Sequence, residues 1–240
     1  MSIVIPAILP SSREDLEHKL AKYRGVADIV QVDIVDGKFA TPATWPYTGD
    51  GSELQKLVEA GGTLPYLGHF KYEVDLMVTK PEEALRVWID AGASRVVIHA
   101  ESTPHLAEVI KEFSEEYGYD KDFAPDLLAL GLAINIQTDL ALIEPFLEHI
   151  DYVQFMGIDR VGRQGQQFNP AVLAKIHAFK QKHHDMVVQV DGGASLETAP
   201  KLLEAGVNRL VVGSALQHSI DPKEEMARFD ALAEMHGLYN

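Results

Sequence analysis

Cysteine is absent from all 240 residues. Disulfides, thiolate zinc sites, iron–sulfur clusters and cysteine nucleophiles are thereby excluded, and nothing favours an oxidising compartment. Positive charge is also scarce: 21 Lys and Arg against 36 Asp and Glu leave a formal charge of −15. Nucleic-acid binding needs a basic face and counterion release, so no such partner is expected. A small anion needs only a few backbone donors and a local cation, and stays open as a ligand. No apolar run approaches the length that spans a bilayer. The opening Met1-Ser2-Ile3-Val4-Ile5-Pro6 has neither the basic nor the long apolar region of a signal peptide. The reading is a cytoplasmic protein without a membrane partner. No long linker divides the chain, so residues 1–240 are read as one domain.

What is present is alternation. Short β-branched runs at 3–9, 29–33, 72–77, 95–99, 128–134, 152–156, 186–190 and 209–212 alternate with helical patterns. The latter lie at 13–24, 52–60, 81–91, 103–117, 139–149, 169–183, 195–205 and 222–235. Eight of each is the count of a (β/α)₈ barrel, and continuous apolar strands fit a parallel sheet buried on both faces. A doubly wound open sheet is the alternative. Ala60-Gly61, Ala91-Gly92 and Ala205-Gly206 read as helix stops. Two connections are long, 36–71 and 117–125. The first contains Trp45, Tyr47 and Gly49-Asp50-Gly51 and reads as a lid, a packed insertion or an oligomer contact.

The chemistry gathers at strand ends. Val190-Asp191-Gly192-Gly193 and Val211-Val212-Gly213-Ser214 put glycine turns after the seventh and eighth strands, where barrels frequently hold phosphate. Ser195 reads as capping a helix whose N–H groups face the anion. Gln31 and Asp33, Asp75, His99, Asn135 and Met156 end other strands and, with Asp191, ring the same mouth. Asp33 and Asp191 come from distant strands and could face opposite sides of a substrate. That arrangement inverts a carbon beside a carbonyl: one group removes a proton, the other returns one, through an enediolate. The anion calls for donors or a cation. Asp33, Asp75, Asp191 and Gln31 offer only oxygen, which favours magnesium or manganese over zinc or iron, with a metal-free site as the alternative. The loop 156–168, with Gly162, Gly165, Arg160 and Arg163, reads as closing over phosphate. His99 is the one histidine whose position invites a site role. No lysine ends a strand, and Lys38 lies beyond the acid, which disfavours a Schiff-base lyase.

These motifs, with Pro6-Ala7-Ile8-Leu9, Val32-Asp33-Ile34-Val35-Asp36-Gly37-Lys38-Phe39, Val74-Asp75-Leu76-Met77 and His99-Ala100-Glu101, resemble the ribulose-phosphate 3-epimerase family over nearly the whole chain. The resemblance implies a TIM barrel of the ribulose-phosphate-binding type. It implies an isomerase of the pentose phosphate pathway that interconverts D-ribulose 5-phosphate and D-xylulose 5-phosphate, with a sugar phosphate as ligand and a homo-oligomeric assembly. By position it makes Asp33 and Asp191 the catalytic, metal-binding aspartates. Gly192, Gly193, Gly213 and Ser214 match the phosphate site, and Met77 and Met156 match methionines that shield the reacting carbons. Departures are concentrated at the chemistry. Gln31 and Asp75 stand where the family has metal-ligating histidines, Ala7 stands for a substrate-contacting serine, and the glycine loop gains a residue and Arg163-Gln164. Two other functions stay open: a non-catalytic phosphosugar-binding or regulatory homologue, and a metal-assisted carbon–carbon lyase.

Overall fold

A computed structural model describes residues 2–117 and 127–237. Its strands are β1 (Val4–Ile8), β2 (Ile29–Val35), β3 (Lys71–Met77), β4 (Ala93–His99), β5 (Ala129–Ile134), β6 (Tyr152–Met156), β7 (Val187–Asp191) and β8 (Arg209–Val212). Each pairs in parallel with the next, and β8 pairs with β1 to close a barrel. The helices are α1 (Arg13–Ala21), α2 (Glu53–Glu59), α3 (Pro81–Asp90), α4 (Leu106–Tyr117), α5 (Ala171–Lys182), α6 (Ala199–Glu204), α7 (Ser214–Gln217) and α8 (Pro222–Met235). Every strand falls within two residues of its expected run. No described helix is long and apolar enough to cross a membrane.

Two helical expectations are corrected. The 139–149 stretch folds as two 3₁₀ segments, Leu140–Leu142 and Glu144–His149, because Pro145 brings no N–H to close an α-helical turn. Helix α6 begins at Ala199, not at Ser195, whose N–H is spent on the Thr198 hydroxyl at 2.9 Å. Ser195 Oγ still accepts from the Thr198 N–H at 3.3 Å, so the cap expected at Ser195 closes the turn that leads into α6, and the Thr198 hydroxyl also donates to the Gly193 carbonyl at 2.8 Å and braces the glycines. The connection expected at 117–125 lies, but for Tyr117, outside the described residues.

Strand period 2 separates two cores. In β2, Val30, Val32 and Ile34 join the apolar layer beneath the helices, a cluster that also takes Leu85 and Trp88 from α3. Burial of a large apolar side chain there contributes about 1.5–3 kcal/mol before entropy. The alternate residues Gln31, Asp33 and Val35 turn into the barrel. Apolar patches inside are small, one built on Ile5, Ala7 and Val211, another on Val97, Ala133 and Met156. Val35 and Met77 add a third, and polar side chains lie between these patches.

The 36–71 connection is a packed insertion in its first part. Trp45 is buried edge-on against Trp88, with ring centroids 5.8 Å apart, and its indole N–H donates to Glu53. The Thr44 hydroxyl donates to the Asp33 carbonyl at 2.9 Å and accepts from the Val35 N–H at 2.8 Å, clamping the end of β2.

Candidate active site

Register brings the acids together. Asp33 and Asp75 are paired across β2 and β3, and Asp191 ends β7 opposite Met156. One oxygen from each of Asp33, Asp75 and Asp191 lies within 4.8 Å of the others. All three carboxylates are buried, Asp191 being the most accessible at 9%. Burial first, then the charges of Asp191 and Asp75, pushes Asp33 well above the usual carboxylate range. Burial, followed by Asp75, pushes Asp191 up to about 7. Asp75 Oδ2 accepts from Gln154 at 2.9 Å, whereas its Oδ1 has no hydrogen-bond partner among the described residues. His99 Nε2 approaches that Oδ1 to 3.2 Å without hydrogen-bond alignment. Burial opposes a charge on His99, but Asp75 and, behind it, Glu101 and Asp191 raise its proton affinity overall.

An anionic oxygen cluster with a buried orphan oxygen fits a hard divalent cation. Gln31, expected among the oxygen ligands, turns its amide nitrogen toward the acids instead. Its Nε2 donates to Asp33 Oδ1 at 2.7 Å and to Asp191 Oδ2 at 3.3 Å.

Above the acids lies a cavity of ≈ 40 Å³. Asp33, Asp191, Met77 and Met156 line its inner end; Gly162, Gly165, Gly192, Gly193, Gly213 and Ser214 line its rim. His99, Asp75 and Gln31 lie outside that lining, and the ring of His99 packs tilted against Phe39 with centroids 5.3 Å apart. The positive φ values of Gly192 (96°) and Gly193 (71°) suit only glycine, and a Cβ on Gly193 would sit 2.7 Å from the Phe168 backbone. The 156–168 loop does close over this mouth. Arg163 lines the cavity and is anchored by its Nε to the Thr41 carbonyl at 2.8 Å, while Arg160 and Lys38 are exposed outside the lining.

A family model described as "Ribulose-phosphate 3 epimerase family" matches residues 3–217. The chain belongs to the ribulose-phosphate 3-epimerase family. The ribulose-phosphate 3-epimerase of Bacillus subtilis is 30% identical over 240 residues, covering 98% of both chains. That of Schizosaccharomyces pombe is 29% identical over 222 residues, covering 92% of this chain and 89% of its own. Among solved structures, 3-hexulose-6-phosphate synthase from Salmonella typhimurium superposes with a TM-score of 0.64 at 16% identity, covering 98% of this chain and 100% of its own; that likeness is one of fold.

Two features of this family member escape a strand-end reading. One is Gln164, whose side chain reaches into the cavity, donates to the Ala7 carbonyl at 3.0 Å and packs over Gly213. The other is a polar tier below the acids: Glu73, Gln154 and Gln189 are fully buried, with Tyr152 and Arg95 beside them. Their signal was partial, giving the strand face but not the partners. Gln154 and Gln189 stand two residues before Met156 and Asp191 and share their strand face, but a neutral amide inside an apolar run does not announce itself.

Proposed function

We propose that the protein is a ketose-phosphate 3-epimerase that interconverts D-ribulose 5-phosphate and D-xylulose 5-phosphate. The observation that carries this reading is the meeting of Asp33 and Asp191, from β2 and β7, in one glycine-rimmed cavity. Two carboxylates with raised proton affinity form an acid/base pair: the ionised one takes the proton from C3, and the protonated one returns a proton to the opposite face. In the reverse direction they exchange roles. Asp33, Asp75 and Asp191 would hold a divalent cation, magnesium or manganese by their hard oxygens, whose chemistry there is to neutralise developing negative charge. The N–H groups around Gly192, Gly193, Gly213 and Ser214 take the phosphate, and the buried Met77 and Met156 keep water from the reacting carbons.

The test is proton exchange at C3 of ribulose 5-phosphate in deuterated water, followed by NMR with Mg²⁺ or Mn²⁺ restored to metal-stripped protein. Deuterium at C3 with xylulose 5-phosphate as product is the expected result. Saturable phosphosugar binding with no exchange would replace the enzyme with a binding protein, and carbon–carbon cleavage would replace it with a lyase.

A further inference from the structure

The polar tier beneath the acids has a direction. Glu73 is a pure acceptor when ionised. Its Oε2 receives Arg95 Nε and Tyr152 OH, both at 2.7 Å. Its Oε1 receives Gln189 Nε2 at 2.6 Å. An amide has donors at one end and an acceptor at the other, so this contact decides which way round Gln189 sits. Its second N–H points to Gln154 Oε1 at 2.8 Å and is shared, at the longer distance of 3.3 Å, with Gln31 Oε1. Both neighbouring amides are thereby held oxygen-inward and nitrogen-outward. Gln154 then donates to Asp75, and Gln31 donates to Asp33 and Asp191. Reversing Gln189 would set its oxygen against Glu73 and against two amide oxygens in a buried place, where unmatched acceptors are costly. Gln189 Oε1 is left without a partner among the described residues, which the charged bond to Glu73 offsets.

We propose that Gln189 is a positioning residue: through Gln31 and Gln154 it holds N–H donors against all three aspartates. It steadies Asp33 and Asp191 as the acid/base pair and turns the Gln31 oxygen away from the cation position, leaving carboxylates as the ligands. The catalytic part of this inference rests on the epimerase reading; the amide orientation does not.

The test is the exchange variant Glu73→Gln/Gln189→Glu, which conserves side-chain volume and formal charge but makes position 189 an acceptor. Gln31 and Gln154 must then turn their nitrogens inward and present oxygens to the aspartates. Donors are lost from the empty acid cluster and an oxygen ligand is gained. Mn²⁺ affinity, read by titration calorimetry, should therefore rise about tenfold, while kcat falls at least tenfold with KM changed less than twofold. Gln189→Leu, which frees both amides without reversing them, should bind Mn²⁺ with an affinity between wild type and the exchange variant. It serves as the second variant should the exchange protein fail to fold. Mn²⁺ affinity that is unchanged, weaker or undetectable throughout, in variants whose Tm shows them folded, overturns the proposal. Failure of the unaltered protein to exchange C3 protons would sink the acid/base reading alone, because the Mn²⁺ shift judges the amide orientation without turnover.

Discussion

At the scale of single residues, the proposed acid/base pair makes the sharpest prediction. Asn at position 33 or 191 keeps the shape and removes the proton carrier, so Asp33→Asn and Asp191→Asn should each lower C3 exchange by about 10²–10⁴-fold. Binding of inorganic phosphate, measured by calorimetry, should survive in both, because the glycine rim is untouched. Gln164→Ala removes the bond to the Ala7 carbonyl and the cover over Gly213, where a Cβ would meet Gln164 Cδ at 2.8 Å. The loss of one hydrogen bond corresponds to roughly a three- to tenfold rise in KM, with kcat moving less. The two aspartates were legible in the sequence because an acid inside a β-branched run contradicts its neighbours. Gln154 and Gln189 were not, since their roles depend on which residues of β2 and β3 lie across the barrel interior from them, a relation that sequence spacing does not contain.

At the scale of elements, the strands were legible because period and β-branching are local, and their parallel order followed from the helices between them. The failures were also local in origin. An apolar pattern at helical spacing reads alike for α and 3₁₀ geometry, so Pro145 and the Thr198 brace under Gly193 decide the outcome at 139–149 and 195–205. The turn after β7 has little room to adjust. Gly157 donates its N–H to the Asp191 carbonyl at 2.7 Å, and a Cβ there would collide with the Gly192 carbonyl oxygen. Backbone cannot swing aside as a side chain can. Gly157→Ala should therefore shift the Gly192-Gly193 turn, raise KM at least tenfold and cost about 1–3 kcal/mol in a urea titration. Across the barrel, Trp45→Ala empties a buried aromatic site under the clamp that Thr44 makes on β2. A loss of about 3–5 kcal/mol is expected from denaturant unfolding.

At the scale of the whole molecule, an acidic barrel with its acids buried at the centre should be held together differently at different pH. The ordinary carboxylate value is 3.8, and in the metal-free fold Asp191 is pushed up to about 7, with Asp33 raised as well. Between those limits the folded chain retains protons that the unfolded chain has released. Stability from this source is therefore complete below pH 4 and is lost as pH rises through 7. The net charge of −15 adds repulsion in the same direction, so the acid cluster must be isolated by comparison. Metal-stripped protein should melt about 5 °C lower at pH 8 than at pH 5, and Asp191→Asn, which cannot ionise, should flatten that slope. Mg²⁺ or Mn²⁺ competes with protons for the same oxygens, so its stabilising effect should grow across this range. A cation-induced rise in Tm that is equal at pH 5 and pH 8 would place the ion somewhere other than among Asp33, Asp75 and Asp191.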